Sequence, residues 1–367
     1  MERVCEKHRE ENLFTTKDTL KIKGIAIIML IVHHMFLADN SYEINTIKYF
    51  IVSQYYIQKL AIAARICVWI FVFLSAYGLA YKYDENREET KAYYIERWLS
   101  LMKGYWFIYI LSFALLIILQ KHPFMVYDKN MIYIFLDFFG WADFWGTPML
   151  SGVWWYMCLA QFVLICVPVF WGMVKKYSGF CIVIFFILLR YLNSGIRSNF
   201  GGTYTIYVYA ILFGIIYYQQ DILSKIKEKK KSVFELVGIL LVIVGGIYVK
   251  MKYASVDEYQ ITLILFSLAA CAFVMLVFKY LDNAKLSEIL IFVGKNSGNI
   301  FMTHMLLYNY FLKIVCFSHS VIGCIITLLT LCVLASVCIN YIKKVIKYNQ
   351  IIDSIRQMII RKTVQNG

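Results

Sequence analysis

Three ionisable side chains in the first apolar run of the chain have types and spacing that suit proton and phosphate chemistry. Lys23 begins this run, and His33 and His34 lie near its end. At about 100° per residue, eleven residues bring Lys23 and His34 to the same helical face, roughly 16 Å apart along the axis, while His33 points about 100° away. Ionisable groups inside a membrane-spanning helix usually face a bundle interior or a wet cavity and carry function. The alternative is a lysine that extends to the membrane surface and two histidines that only pack.

A further histidine follows near residue 300. Ser297, Phe301 and His304 fall on one helical face, at spacings of four and three residues. A single buried histidine is more often structural. Two intramembrane histidines with polar neighbours favour proton chemistry, because a neutral imidazole can accept the proton of a hydroxyl group.

Two arginines are candidates for contacts with phosphate groups. Arg65 opens an apolar run, and Arg97 precedes the next such run at the predicted inner face of the membrane. The arginine side chain binds phosphate with two parallel hydrogen bonds. The alternative is that these cations only anchor their helices at the membrane surface.

Aromatic residues cluster at the predicted outer side of the membrane. Trp154, Trp155 and Tyr156 open a later apolar run, and they suit either stacking on a sugar or anchoring at the membrane–water interface. The stretch from Met131 to Trp145 is rich in the same residue types. It is predicted to be an amphipathic interfacial helix, a re-entrant lid, or simply part of an aromatic belt.

The elements that must position these residues are membrane-spanning helices. Hydrophobic residues make up 61% of the 367-residue chain, the mean hydropathy is +0.64 and only 16% of residues are charged, whereas soluble domains are about half apolar and a quarter charged. Apolar runs of about 17–25 residues match the thickness of a bilayer. We predict an all-α polytopic membrane protein with about ten transmembrane helices, at 22–38, 61–81, 103–120, 152–174, 178–193, 203–219, 233–250, 260–280, 289–310 and 318–342.

The distribution of charge predicts the orientation. Of the 37 lysines and arginines, 26 lie in the N-terminal segment, the even-numbered loops and the C-terminal tail, and nine lie in the odd-numbered loops. An excess of cations marks the cytoplasmic side, so both termini are predicted to be cytoplasmic. Five of these cations fall in the segment 225–231, whose lysines also suit anionic lipid headgroups.

The remaining features exclude other classes of site. The ten cysteines show neither CxxC nor metal-ligand spacing, and most lie inside apolar runs, so we expect no metal site and no disulfide framework. The polar N-terminal segment lacks the pattern of a secretory signal, so the first helix is expected to be retained. We predict a single integral-membrane domain over 1–345 and a basic cytoplasmic tail over 346–367.

The sequence resembles the membrane-bound acyltransferase family 3, whose members O-acylate bacterial glycans and other envelope molecules. Lysine stands at position 23, where the family often has arginine, and Ser75-Ala76 stands in place of Ser-Gly. The matching pieces come in the family's order along nearly the whole chain: Lys23-x10-His34, Phe71 to Gly78, Arg97 with Tyr105-Trp106, Trp154 to Met157, and Gly294-Lys295-x-Ser297 through His304.

The resemblance implies transfer of an acyl group, in the first instance acetyl, from a cytoplasmic acyl-CoA to a hydroxyl of an envelope or exported glycan. Acetyl-CoA would be a co-substrate rather than a tightly bound cofactor. The expected partners are a glycan or lipid-linked sugar acceptor and the membrane lipids, with no nucleic acid, and the oligomeric state is left open. The expected location is the cytoplasmic membrane of a bacterium.

The residues take roles within that reaction. His34 is the candidate general base, with a covalent acyl-histidine as the less favoured alternative. Ser297 and His304 would orient the acceptor or relay its proton. The donor phosphates or the developing oxyanion would contact Lys23, Arg65 and Arg97, and the acceptor would contact Trp154, Trp155 and Tyr156.

Two other classes of protein compete with this interpretation. One is a proton-coupled transporter of an acylated or anionic sugar, with His34 and His304 as proton relays, although the chain lacks an evident internal repeat and has only three prolines. The other is a non-catalytic membrane partner in polysaccharide assembly, which would leave the alignment of Lys23 with His34 unexplained.

Overall fold

A computed structural model describes residues 14–37, 47–49, 52–85, 90–195, 202–253 and 260–365. The structure is all-helical, with 83% helix and no strand among the described residues, as the hydropathy pattern predicts. Helices suit these apolar runs because they satisfy every backbone hydrogen bond within one segment of chain. The helices are α1 Thr16–Phe36, α2 Gln54–Ala64, α3 Ile66–Glu85, α4 Thr90–Ile118, α5 Pro123–Val126, α6 Met131–Phe138, α7 Trp155–Tyr177, α8 Phe180–Gly195, α9 Gly202–Thr205, α10 Val208–Gln219, α11 Ile222–Glu228, α12 Val233–Lys252, α13 Gln260–Tyr280, α14 Ala284–Lys295, α15 Ser297–Tyr310, α16 Leu312–Val315, α17 Val321–Val345 and α18 Tyr348–Gln365.

Seven helical stretches in the described part of the chain are long and apolar enough to cross a membrane. The remaining three predicted spans also contain helix, but α8 is short, and the other two are interrupted at 206–207 and at Asn296. The count of ten spans is consistent with this structure and stays a prediction, as does the cytoplasmic position of both termini. The seven stretches are Thr16–Phe36, Gln54–Glu85, Thr90–Ile118, Gly152–Tyr177, Val233–Lys252, Gln260–Tyr280 and Val321–Val345.

The first helix begins at a reciprocal cap. The backbone N–H of Thr15 donates to the Asp18 carboxylate at 3.1 Å, and the backbone N–H of Asp18 donates to the Thr15 hydroxyl at 3.3 Å. These bonds satisfy two of the N–H groups that a helix start leaves without intrahelical partners. Helix α1 then continues without interruption to Phe36 and carries Lys23, His33 and His34.

Helical segments group into two compact units, which we describe separately. The first comprises residues 1–33, 59–81 and 166–295. At its core the buried Trp69 ring lies 4.6 Å from the Tyr207 ring and 4.7 Å from the Phe266 ring. Helix α10 approaches α3 closely at Gly214, where a Cβ atom would meet the Phe73 carbonyl oxygen. Small residues of this kind let helix backbones approach within a membrane.

The second unit comprises residues 34–58, 82–165 and 296–367. Its core is aromatic, and the Trp154 ring lies 5.3 Å from the Tyr105 ring and 5.6 Å from the Tyr109 ring. The segment after α1 joins this unit through Lys48, whose N–H donates to the His319 carbonyl at 2.8 Å.

A polar cluster joins α15 to α17 within the second unit. The Ser336 hydroxyl donates to the Asn296 side-chain carbonyl at 2.7 Å, and the Asn299 amide donates to Ser336 at 2.9 Å and to Asn340 at 3.1 Å. Hydrogen bonds between helices are the characteristic polar contacts of membrane bundles, because lipid tails offer no alternative partner. Asn296 is also the single residue between the end of α14 and the start of α15.

The predicted basic tail contains helix α18, which packs along α4. Lys103 donates to the Asp353 carboxylate at 3.0 Å, and the Tyr348 hydroxyl donates to the Lys103 carbonyl at 3.0 Å. The Tyr348 ring lies 5.0 Å from the Phe107 ring. The division into one domain over 1–345 and a cytoplasmic tail stays a prediction.

The predicted orientation can be tested at the exposed loop after α11. Lys229 follows α11 directly and its side chain is exposed. A Lys229→Cys variant should resist a membrane-impermeant thiol reagent applied to intact cells, because the loop is predicted to be cytoplasmic. The same variant in inverted vesicles should react, which serves as the control. Efficient labelling from outside would contradict the ten-span topology.

Candidate active site

The structure brings together the two histidines that the sequence selects for proton chemistry. The rings of His34 on α1 and His304 on α15 lie 5.2 Å apart, centre to centre, with their planes at 41°. His304 is fully buried, whereas His34 is half-buried. Of the two imidazoles, His34 is therefore the more exposed.

Hydrogen bonding defines how His304 presents its ring. Its Nδ1 atom lies 2.7 Å from the Phe301 carbonyl oxygen and 3.3 Å from the Ile300 carbonyl oxygen. A carbonyl oxygen only accepts, so Nδ1 carries the proton, and in the neutral ring Nε2 is then the unprotonated nitrogen. His304 thus offers a basic nitrogen in the same pair as His34.

The neighbouring histidine makes a different contact. His33 Nδ1 donates to the Ala61 carbonyl on α2 at 2.8 Å, and its side chain is buried. Because this bond lies in the first unit, His33 connects α1 to α2, while His34 pairs with α15. Adjacent residues of one helix thus take separate neighbours, in the manner expected from a turn of about 100° per residue.

A chain of aromatic rings leads away from the histidine pair. Phe301 lies 6.0 Å from His304 and 5.0 Å from Tyr156, and Tyr156 lies 6.1 Å from Trp155, all centre to centre. Trp155 and Tyr156 are both half-buried. Two rings, those of His304 and Phe301, therefore separate Tyr156 from the candidate base His34, and three separate Trp155 from it.

The other residues predicted on this side are more enclosed. Trp154 is 1% exposed, and its indole N–H donates to the Met302 carbonyl on α15 at 3.0 Å. Ser297 is the buried first residue of α15, two turns before His304. Seven residues of helix correspond to a rise of about 10 Å, so Ser297 does not touch His304 directly. The acceptor role of Trp154 and the relay role of Ser297 stay predictions.

The candidate site residues all lie within a region that matches a known protein family. A sequence profile described as an acyltransferase domain matches residues 22–341, which is most of the chain and includes every candidate site residue. The chain belongs to the acyltransferase 3 family. No curated protein and no solved structure matches this acyltransferase.

The cations predicted to hold the donor occupy different parts of the acyltransferase. Arg65 lies at the turn between α2 and α3, close enough to His33 to act on it electrostatically. Lys23 is ten residues from His33 along α1, a rise of about 15 Å, so Arg65 is near the histidine end of that helix rather than near Lys23. Arg97, in the second unit, forms an ion pair with Glu96. The donor role of each cation stays a prediction.

Two glycines bring α1 and α14 close together beside Lys23: Gly24, which the sequence analysis did not name, and Gly294, which it named only as part of a matching motif. A Cβ atom at Gly24 on α1 would overlap the Leu290 carbonyl oxygen on α14, and one at Gly294 would overlap the Leu20 carbonyl oxygen. Helices α1 and α14 therefore cross backbone against backbone at two points. In the sequence, the feature that distinguishes these glycines is that each is adjacent to a lysine, in Lys23-Gly24 and Gly294-Lys295.

Metal ligands do not converge in the described part of the acyltransferase. No group of three histidine, cysteine, aspartate or glutamate side chains there is placed to hold a metal ion.

Proposed function

We propose that this acyltransferase moves an acyl group, and in particular acetyl, from a cytoplasmic acyl-CoA to a hydroxyl of an envelope or exported glycan. The observation that carries the proposal is the contact between His34 and His304 beside a short run of aromatic rings. Family membership supports acyl transfer as the reaction class. The proposed site of action is the cytoplasmic membrane of a bacterium.

In the proposed reaction His34 acts as general base. Its neutral imidazole accepts the proton of the acceptor hydroxyl while the hydroxyl oxygen attacks the thioester carbonyl carbon. The carbon–sulfur bond then breaks, and the departing thiolate takes the proton back from the imidazolium, so that an ester and free CoA result. His304 orients the acceptor through a hydrogen bond or relays its proton. It would do so through Nε2, because its Nδ1 is already bonded to the Phe301 carbonyl. Transfer through a covalent acyl-histidine is the alternative route.

Binding of the two substrates is divided among the other candidate residues. We propose that Lys23, Arg65 and Arg97 contact donor phosphates or stabilise the developing oxyanion. Trp155 and Tyr156, which are half-buried, supply an aromatic surface for a sugar, and an acceptor contact of the buried Trp154 is part of the same proposal. Ser297 contributes a hydroxyl near the start of α15.

The test is transfer of labelled acetyl from acetyl-CoA into envelope glycan by inverted membrane vesicles. We expect label in the glycan fraction that depends on this gene, and a glycan mass that increases by one acetyl group or by the mass of another acyl group. Vesicles that take up or release a sugar in response to a pH gradient, with no acyl transfer, would instead favour a proton-coupled transporter.

Substitution at Lys23 tests the donor site. Lys23→Arg should retain most of the transfer rate, because it keeps a cation at this position. Lys23→Ala should raise the KM for acetyl-CoA by about tenfold, since a charge-assisted hydrogen bond contributes roughly 1.5–3 kcal/mol. Initial rates over a range of acetyl-CoA concentrations provide the measurement. Wild-type kinetics in both variants would reduce Lys23 to an interfacial anchor.

A further inference from the structure

A buried carboxylate that the proposed reaction does not use lies in the second unit. Asp137 on α6 is 1% exposed. One of its oxygens accepts from the Tyr127 hydroxyl at 2.6 Å and from the Leu150 backbone N–H at 2.8 Å, and the other accepts from the Tyr105 hydroxyl at 3.1 Å. Charges are almost never buried this deeply without partners, and here three donors from separate segments converge on one side chain.

The segment around Asp137 is fixed to its neighbours at several other points. The Trp106 indole N–H donates to the Phe138 carbonyl at 3.0 Å. The Gln161 side chain on α7 accepts from the indoles of Trp98 and Trp141 and donates to the Phe139 carbonyl, at 2.9–3.0 Å. These bonds join the segment to α4 and α7.

Two routes lead from Asp137 to the helix that carries His304. Through the Leu150 N–H, the carboxylate fixes the chain just before the turn that contains Trp154. Through the Tyr105 hydroxyl, it holds a ring that lies edge-on, 5.3 Å from the Trp154 ring. The Trp154 indole in turn donates to the Met302 carbonyl, two residues before His304.

We propose that Asp137 is a positioning residue, which sets Trp154 and thereby the helix α15 that places His304 beside His34. The effect on transfer rests on the proposed function, whereas the effect on α15 does not. A displacement of a catalytic group by about 1 Å can cost a hundredfold in rate, so such control from a distance has measurable consequences.

The same carboxyl group responds to pH. Burial raises the pKa of Asp137 from its ordinary value of 3.8 to about 6, although hydrogen bonds from Tyr127, Leu150 and Tyr105 oppose the rise. The groups that face it are uncharged phenols and a backbone amide, and the pKa of Tyr127 is itself raised by burial and by Asp137. The folded protein therefore keeps this proton at a pH where an unfolded chain has released it, and its contribution to stability falls as the pH rises from about 4 to 6.

The experiment is a double-mutant cycle on the full-length protein in detergent. Hydrogen–deuterium exchange of peptides covering 297–310 is compared for wild type, Asp137→Asn, Trp154→Phe and the double variant. Each single variant should exchange faster in α15, and the double variant should exchange no faster than the more affected single one, because both act through one contact. Asp143→Asn, a half-buried residue of the same segment, is the matched control and should leave α15 unchanged.

Acyl transfer provides the second readout. Asp137→Asn should lower kcat by about ten- to a hundredfold with little change in the KM for acetyl-CoA, since the donor contacts are elsewhere. If Asp137→Asn fails to insert, Tyr127→Phe removes one donor and should shift α15 exchange in the same direction.

Unchanged α15 exchange in Asp137→Asn, or fully additive effects of the two substitutions, would overturn the proposal. Because exchange requires no substrate, these outcomes are independent of whether the protein transfers acetyl. A wild-type protein that transfers no acyl group, but shows the predicted exchange, would overturn the proposed function and leave the positioning role of Asp137 standing.

Discussion

Replacement of His34 by alanine is expected to lower acyl transfer at least about a hundredfold, the low end of the loss when a general base is removed. His34 is half-buried and its ring lies 5.2 Å from that of His304, whose own imidazole is fully buried. The assay is transfer of labelled acetyl from acetyl-CoA into glycan by inverted vesicles, at several pH values.

The adjacent histidine is the matched control for that variant. His33→Ala removes a buried hydrogen bond to the Ala61 carbonyl, which is worth about 1 kcal/mol of stability, and it leaves the His34–His304 pair in place. Its transfer rate should fall far less than that of His34→Ala when both proteins reach the membrane in equal amounts, judged by quantitative blotting. Equal losses would indicate a general folding defect, and a loss confined to His33→Ala would mean that the catalytic face is misassigned.

Introduction of a single methyl group at Gly294 is expected to be severely disruptive. A Cβ atom there would overlap the Leu20 carbonyl oxygen, and neither backbone can yield by rotating a side chain. Overpacking of this kind costs about 1–3 kcal/mol or more, which corresponds to roughly 2–4 °C of melting temperature per kcal/mol in domains of 150–250 residues. The shift of α1 against α14 should also raise the KM for acetyl-CoA, because Lys23 lies at this crossing.

The comparison for Gly294→Ala is Gly298→Ala, four residues further along the chain. No atom lies within 4 Å of a Cβ atom built at Gly298, and alanine favours a helix over glycine by up to about 1 kcal/mol. This variant should melt at the wild-type temperature or above it. Thermal unfolding of the two purified proteins in one detergent decides the matter, and equal melting temperatures would refute the close crossing of α1 and α14.

Hydropathy was sufficient to predict the fold class. Helical periodicity was sufficient to predict that the adjacent residues His33 and His34 point to different neighbours. Every predicted span contains helix, because apolar length is a local property of the sequence. The interruptions at Arg65 and Asn296 were not predicted, since a single polar residue within an apolar run does not show whether the helix continues through it.

Contacts between distant segments were the part that the sequence did not reveal. His34 and His304 were both selected, but their proximity depends on how α1 and α15 pack. Asp137 lies in an apolar stretch that resembles any interfacial segment, and its three donors come from Tyr105, Tyr127 and Leu150. Arg65 was grouped with Lys23 because both are cations, whereas the structure places it close enough to His33 to act on it electrostatically.

The polar cluster between α15 and α17 has a mechanical consequence. If either helix slid along the other by one turn, Asn296, Asn299 and Ser336 would lose these hydrogen bonds, and interhelical bonds of this kind are each worth about 0.6–2 kcal/mol in membrane bundles. The cluster therefore favours a single register of α15 against α17, and that register sets the position of His304 along α17. A movement of α15 alone would break these bonds, whereas a movement of α15 and α17 together would keep them.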